Sequence, residues 1–453
     1  MFVPLVLAAA AGLVPVCLTQ LADTSLFPVG PLASSDIKWN TKVCDVTNYG
    51  NATADLGPPL LAAFNACSTG GVVHIPSGTY SMSTFVTLSG GSAWAINLEG
   101  TIERAGNVTG GNMIAVTSST DFELYSGNGE GAIQGYGYKF LSQGSYGPRL
   151  LRLTNVTSFA VHDIALVDSP AFHFVMDTCS QGEVFNIIIR GANKGGLDGI
   201  DVWGQQIWIH DVEVSNKDEC VTVKSPAHNI LIEDIYCNWS GGCAMGSLNA
   251  GTNISHIQYS NVYSSNANQM YMFKSNGGDG TVTDVLLENF IGHNNAYSLY
   301  INGYWSSETV QPGDGVLYDS ITFSNWIGDC ANGSQRPPIY INCPASMPCT
   351  NITIEDVAIW TDAGNEEYYK CANDIDSHGY CLNSDIDFTP NATVTSTVTA
   401  TPSGWAAPYM PSDLSTGFAT DSSIPVPTVP ATFFPGATPV TPRAYQESST
   451  YEA

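Results

Sequence analysis

The chain has 453 residues, 43 % of them hydrophobic and 12 % charged, with 44 glycines, which allows a large core but suits strands and turns better than helices. Its formal net charge of −27 leaves only 14 Lys and Arg, too few cations to meet nucleic-acid phosphates as a general partner. Acidity on this scale is a solvated surface, so an anionic ligand would need a few local cations.

In chain order, MFVPLVLAAAAGLVPVCLTQ reads as a secretory signal over residues 1–19, without the usual basic n-region. No other stretch is apolar and long enough to cross a bilayer. The mature protein is therefore expected in the extracellular medium, as a monomer without a membrane or nucleic-acid partner. Cleavage removes Cys17 and leaves eleven of the 12 cysteines. In a secreted chain, close sequence neighbours are candidate disulfides, which pairs Cys44 with Cys67, Cys220 with Cys237, Cys343 with Cys349 and Cys371 with Cys381. Cys179, Cys243 and Cys330 stay unassigned, and no cysteine spacing suits zinc. Sequons at Asn51, Asn107, Asn155, Asn238, Asn253, Asn332, Asn351 and Asn391 mark candidate glycosylation sites.

PPLLAAFNAC, Pro58 to Cys67, has amphipathic helical spacing and is expected to cap an exposed sheet end. A pattern of apolar-x-apolar-x-(Asp/Asn)-apolar then recurs, starting at Phe159, Ile207, Ile230, Ile257, Val285, Ile321 and Ile352. Starts from Ile207 onward are 23, 27, 28, 36 and 31 residues apart, and the gap of 48 before Ile207 leaves room for one degenerate coil near Val184. Short alternating strands at this period, without a helical stripe, imply stacked coils. The spacing predicts an all-β, right-handed parallel β-helix over residues 20–385. Residues 386–453, with ten of the 25 prolines and one basic residue, Arg443, read as a Ser/Thr/Pro-rich disordered tail.

The stretch NKDECVTVK, Asn216 to Lys224, carries two adjacent acids into a strand. By parity Val221 and Val223 face the core, while Cys220, Thr222 and Lys224 face out. Glu219 would then point inward unless the chain bends between it and Cys220. Counted from each coil's start, Asp218 stacks with Gly241 and Asn268, and Lys224 with Ser247 and Lys274. Asp198 falls about one coil before Asp218. Asp198, Asp218 and Glu219 thus converge near two lysines. Taken singly, an Asp-Glu at a turn is more often a cap, and a lone lysine a surface cation; their shared face favours carboxylate chemistry. Two carboxyls about 6.5–9.5 Å apart suit inverting glycoside hydrolysis, and a third would keep the acid protonated.

At these residues the chain resembles family 28 of the glycoside hydrolases, over about Leu21 to Asp385. Polygalacturonases of that family carry Asn-Thr-Asp, Asp-Asp, Gly-His-Gly and Arg-Ile-Lys blocks. Here the blocks read Gly196-Leu197-Asp198, Asp218-Glu219, a stretch with Gly241 at the histidine position, and Met272-Phe273-Lys274. Loss of that histidine and arginine argues against a polygalacturonase and for the branch acting on rhamnogalacturonan I, along with GGLDGIDVWG and CNWSGGCAMGSL. The resemblance implies a parallel β-helix and endo-cleavage, with inversion, of α-1,2 bonds between galacturonic acid and rhamnose. It makes Asp218 the general acid, with Asp198 and Glu219 activating water and His293 a candidate substitute histidine. Lys274 and Lys224 would bind a galacturonate carboxylate, Arg190 and Lys194 would extend that patch, and Tyr304 or Trp305 would stack on a sugar. No metal or organic cofactor is implied.

Alternatives within the family are an exo-acting galacturonidase and a xylogalacturonan hydrolase. A calcium-assisted lyase and a non-catalytic carbohydrate-binding β-helix are the readings of other classes. Unsaturated products would mark the lyase, and binding without new reducing ends would mark the binding protein.

Overall fold

The repeat starts line up as neighbours in one ladder. In the computed structural model, which describes residues 29–330, 338–361, 367–375, 391–396 and 403–433, Phe159 pairs in parallel with Gly182, and Gly182 with Ile207. The column continues through Ile230, Ile257, Val285, Ile321 and Ile352. The coil hidden from the sequence pattern therefore begins at Gly182. A Cβ there would lie 2.0 Å from the Phe159 ring, so the larger side chain of the previous coil fills the space that isoleucine fills elsewhere.

The Asp or Asn of each repeat bends the strand from one sheet to the next. Asp163, Asn186, Asp211, Asp234, Asn261, Asn289, Asn325 and Asp356 all hold φ between 50° and 57°, a left-handed conformation that these two residue types tolerate best after glycine. Their side chains also bond from coil to coil. Asn186 donates to Asp163 at 2.9 Å, Asn261 to Asp234 at 3.1 Å, Asn289 to Asn261 at 3.1 Å and Asn325 to Asn289 at 2.6 Å. The product is a parallel β-helix whose interior stacks Ile, Val, Leu and rings such as Phe290 on Trp326, 4.1 Å apart.

The capping helix spans Gly57–Cys67 and buries Leu60, Ala63, Phe64 and Cys67 against the first coils. A second helix, Ser35–Thr41, was not legible as periodicity because it is only seven residues long. Its Lys38 is buried and paired with Asp121 at 2.9 Å and Glu123 at 3.5 Å.

Three expected disulfides are present: Cys44–Cys67, Cys220–Cys237 and Cys343–Cys349. Cys371 is disulfide-bonded, while Cys381 lies outside the described residues, as do the expected signal segment, Asn332 and the side chain of Asn391. Asn51, Asn107, Asn155, Asn253 and Asn351 are exposed. Asn238 is corrected as a glycosylation site: it is fully buried, with its amide 3.4 Å from Asp413, and a glycan needs an open surface.

For residues 403–433 the expectation of a disordered tail is also corrected. This segment lies along the outside of the coils. Trp405 packs edge-on against Trp360, and Tyr263 donates to the Pro408 carbonyl at 2.8 Å. Trp239 donates to the Leu414 carbonyl at 2.9 Å, Asn193 N–H to that of Phe418 at 2.7 Å, and Gln134 to that of Ile424 at 2.7 Å. Met410, Ile424 and Phe433 are buried among coil residues, each contributing about 1.5–3 kcal/mol of apolar burial. Sparse apolar residues among many prolines conceal such a strap, because it meets its partners only across the coils.

Candidate active site

The bend expected at NKDECVTVK is a β-bulge. Glu219 pairs with Gly242 but Thr222 pairs with Ala244, so one extra residue enters on the Glu219 side. Glu219 can therefore face outward while Val221 and Val223 enter the core. Cys220, expected to look out, is also in the core and bonded to Cys237. Beyond the bulge the register moves by one: Val223 pairs with Met245 and Gly246 with Lys274, so Lys224 stacks beside Gly246 rather than Ser247.

Two adjoining turns present the acids. Ile200 pairs with Val221, which places Asp198 one coil from Glu219. Buried Asn216 ties the turns together, donating to the Leu197 carbonyl at 2.8 Å and the Glu219 carbonyl at 2.9 Å. Below them His173 N–H donates to the Asp198 carbonyl at 2.9 Å, and burial of its ring draws the His173 pKa down to about 4. Lys217 turns the chain at φ 69°. Asp218 then accepts from Glu219 N–H at 2.9 Å and from Gly196 N–H. The glycine at 196 has φ 80° and lies against Tyr146, where a side chain would be both strained and crowded.

One carboxylate oxygen from each of Asp198, Asp218 and Glu219 lies within 4.8 Å of the others. That is tighter than the ~6.5–9.5 Å separation expected of an inverting pair, so the spacing of these oxygens does not itself argue for inversion. Burial holds the Asp198 carboxyl well above the usual range, with repulsion from Asp201 and Asp218 adding to it. Asp201, not singled out from the sequence, joins the group. It is buried, and that burial raises its pKa against the pull of Lys224, whose ammonium is 3.2 Å away. The second acid of GGLDGIDVWG was the signal available for it.

The lysines are already committed. Lys274 pairs with Glu219. Lys224 pairs with Asp201 and stands 3.7 Å from Asp198; burial disfavours its charge, but the two aspartates outweigh that and raise its pKa. A divalent ion held by Asp198, Asp218 and Glu219 would have to compete with both ammonium groups. Cys220, Cys237 and Cys243 also cluster, but two of their sulfurs are spent in a disulfide.

His293 is not brought to the acids. It lies two coils beyond Asn238 in one column, with Nδ1 2.9 Å from Asp329. Tyr304 is 47 % exposed, and its hydroxyl accepts from Ala345 N–H at 2.7 Å. Arg190 does not extend an open cationic patch. It is buried against Glu213, and burial draws its pKa down to about 9. Lys194 lies instead over Tyr146, 4.9 Å from the centre of its ring. A cavity of about 550 Å³ adjoins the acids, lined by Phe172, Asp201, Trp203, Lys224, Pro226 and Asn249 among others.

The histidine position of the third block is closed by backbone. A Cβ on Gly241 would lie 2.6 Å from the Asp218 carbonyl carbon. Met272, at the arginine position, is buried in an apolar group with Ala244 and Tyr300. The site is thus built without either residue.

The sequence profile described as "Glycosyl hydrolases family 28" matches residues 67–381. The chain belongs to glycosyl hydrolase family 28. Within the family it is 59 % identical to the rhamnogalacturonase A of Aspergillus aculeatus over 414 residues, 91 % of this chain and 93 % of that one. It is 58 % identical to the rhamnogalacturonase A of Aspergillus niger over 420 residues, 92 % and 94 % of the two chains. Among solved structures, the endo-xylogalacturonan hydrolase of Aspergillus tubingensis superposes with a TM-score of 0.67 at 22 % identity, over 75 % of this chain and 99 % of that one. The polygalacturonase of Erwinia carotovora superposes with a TM-score of 0.54 at 18 % identity, over 80 % and 97 %. These two likenesses establish the family 28 β-helix fold. The chain is accordingly a family 28 glycosidase.

Proposed function

We propose that this secreted family 28 glycosidase hydrolyses the rhamnogalacturonan I backbone of pectin at the α-1,2 bond joining galacturonic acid to rhamnose, in endo fashion and with inversion. The observation that carries the reading is the group of three carboxylates within 4.8 Å beside a Gly241 position that admits no histidine. High identity to rhamnogalacturonases over more than nine-tenths of the chain supports it.

Asp218 is the least buried of the three acids, so it meets the glycosidic oxygen and protonates it as the bond breaks. Asp198, whose buried carboxyl favours its neutral form, keeps a proton in the cluster for Asp218. Glu219, ion-paired with Lys274, takes the proton of the water that attacks the opposite face. With that water, C–O cleavage leaves one new reducing end and one new hydroxyl.

The test is product analysis on debranched rhamnogalacturonan I and, in parallel, on polygalacturonate. Saturated oligosaccharides ending in galacturonate, from the first polymer only, are expected; release from polygalacturonate alone would overturn the substrate. Initial products read by NMR should carry the inverted anomer. Asp218→Asn should fold normally and lose about 10²–10⁴-fold in kcat.

A further inference from the structure

Lys224 and Lys274, the lysines nearest the acids, are paired with Asp201, Asp198 and Glu219. A uronate carboxylate arriving in the cleft must find its positive charge elsewhere. Two other cations stand on the N-terminal flank of the acids, and each lies over an aromatic ring. Arg149 lies over Phe172, 5.0 Å from the ring centre. Lys194 lies over Tyr146, 4.9 Å from its centre.

Their placement follows from the ladder. Leu151 pairs with Phe174, Phe174 with Ile200, and Ile200 with Val221. Arg149, Phe172, Asp198 and Glu219 each stand two residues before those positions, so they occupy consecutive coils of one column, about 4.8 Å apart per step. Tyr146 rises beside this column. Its ring rests on Gly196, and its hydroxyl donates to the Gly195 carbonyl at 2.8 Å. Gly196 N–H in turn donates to Asp218. Tyr146 remains 47 % exposed, a ring anchored through its hydroxyl. Among the described residues, neither Lys194 nor Arg149 forms an ion pair with a carboxylate.

The opposite flank differs. C-terminal to the acids, half-buried Tyr297, Trp305 and Tyr340 close over Ala244, Met272 and Tyr300. Lys217, on that rim, gives its ammonium to Asn268 at 3.1 Å. This flank suits a deoxy sugar with an apolar methyl group, whereas the N-terminal flank suits an anionic sugar stacked on a ring.

We propose that Arg149 on Phe172 and Lys194 on Tyr146 form the subsite for the galacturonate on one side of the cleaved bond, and that the aromatic flank takes the rhamnose on the other. The glycan then lies with its galacturonate side toward the N-terminal coils. This assignment rests on the rhamnogalacturonan reading above.

The experiment compares wild type, the double variant Arg149→Gln/Lys194→Gln, and Trp305→Ala on rhamnogalacturonan I oligosaccharides with free or methyl-esterified galacturonates. Esterification should raise the wild-type KM by about tenfold, since it removes the charge that the cations recognise. The double variant should show a similarly raised KM on free acid, a kcat near wild type, and no further response to esterification. Trp305→Ala should have a raised KM but keep the wild-type response to esterification. A double variant that still discriminates free acid from ester as wild type does would overturn the subsite, as would loss of discrimination in Trp305→Ala alone. Failure of the wild type to cleave the free-acid substrate would instead remove the function on which the subsite rests.

Discussion

The backbone of Asp218 occupies the space in which a side chain at position 241 would begin. The virtual Cβ of Gly241 lies 2.6 Å from the Asp218 carbonyl carbon and 2.9 Å from Glu219 N, and Gly241 N–H donates to the Asp218 carbonyl at 2.5 Å. Real Cβ atoms do not approach backbone this closely, so any side chain at 241 must push the acid-bearing turn outward. Gly241→Ala is expected to cost about 1–3 kcal/mol of stability and to lower activity well beyond that, because Asp218 moves. Thermal melting and initial rates measured together check this. An alanine variant with native melting and native turnover would show that the turn yields without consequence.

Asp198 links activity to stability through pH. Burial, followed by its acidic neighbours, raises its folded pKa above the unfolded value near 3.8. The native state therefore holds the proton longer, and the group costs nothing below the unfolded pKa. As pH rises from there toward the folded pKa, stability falls. Asp198→Asn should match wild type in melting temperature at about pH 3.5, melt above it at neutral pH, and be inactive throughout. A melting difference that does not change with pH would argue against this coupling.

The strap at residues 403–433 holds the turn that carries Asp198. Asn193 N–H bonds to Phe418, and Leu197, next to Asp198, shares an apolar cluster with Ile424 and Phe433. Trp239→Phe removes the bond to the Leu414 carbonyl while keeping the ring, and is expected to cost about 0.5–1.5 kcal/mol. Ending the chain at Pro402 should lower the melting temperature further and reduce turnover. Unchanged melting and rate on truncation would show the strap to be passive.

The thiols of Cys179 and Cys243 should be chemically silent in the native protein. Burial pushes both up to about 12, so almost no thiolate exists to react. Cys243 nevertheless lies 3.8 Å from the Cys237 sulfur. Iodoacetamide labelling followed by mass spectrometry should leave both unmodified until denaturant is added, and labelling of native Cys243 at pH 8 would contradict the placement.

Much of this enzyme was determined locally and so could be read along the chain. Each coil announces itself by alternation around a core strand and by an Asp or Asn suited to a left-handed bend, and the period of those signals dictates the stack. The same count placed Asp198, Asp218 and Glu219 together, because residues one coil apart in sequence are one strand apart in space. What the count did not contain was any extra residue within a strand. The bulge after Glu219 turned Cys220 inward and moved Lys224 by one place. Nor did it contain the partners chosen across coils: Asp201 with Lys224, Arg190 with Glu213, His293 with Asp329, and a proline-rich segment with the outer wall. Those depend on which charges and apolar faces are desolvated together. That is a property of the assembled stack, and no stretch of sequence carries it alone.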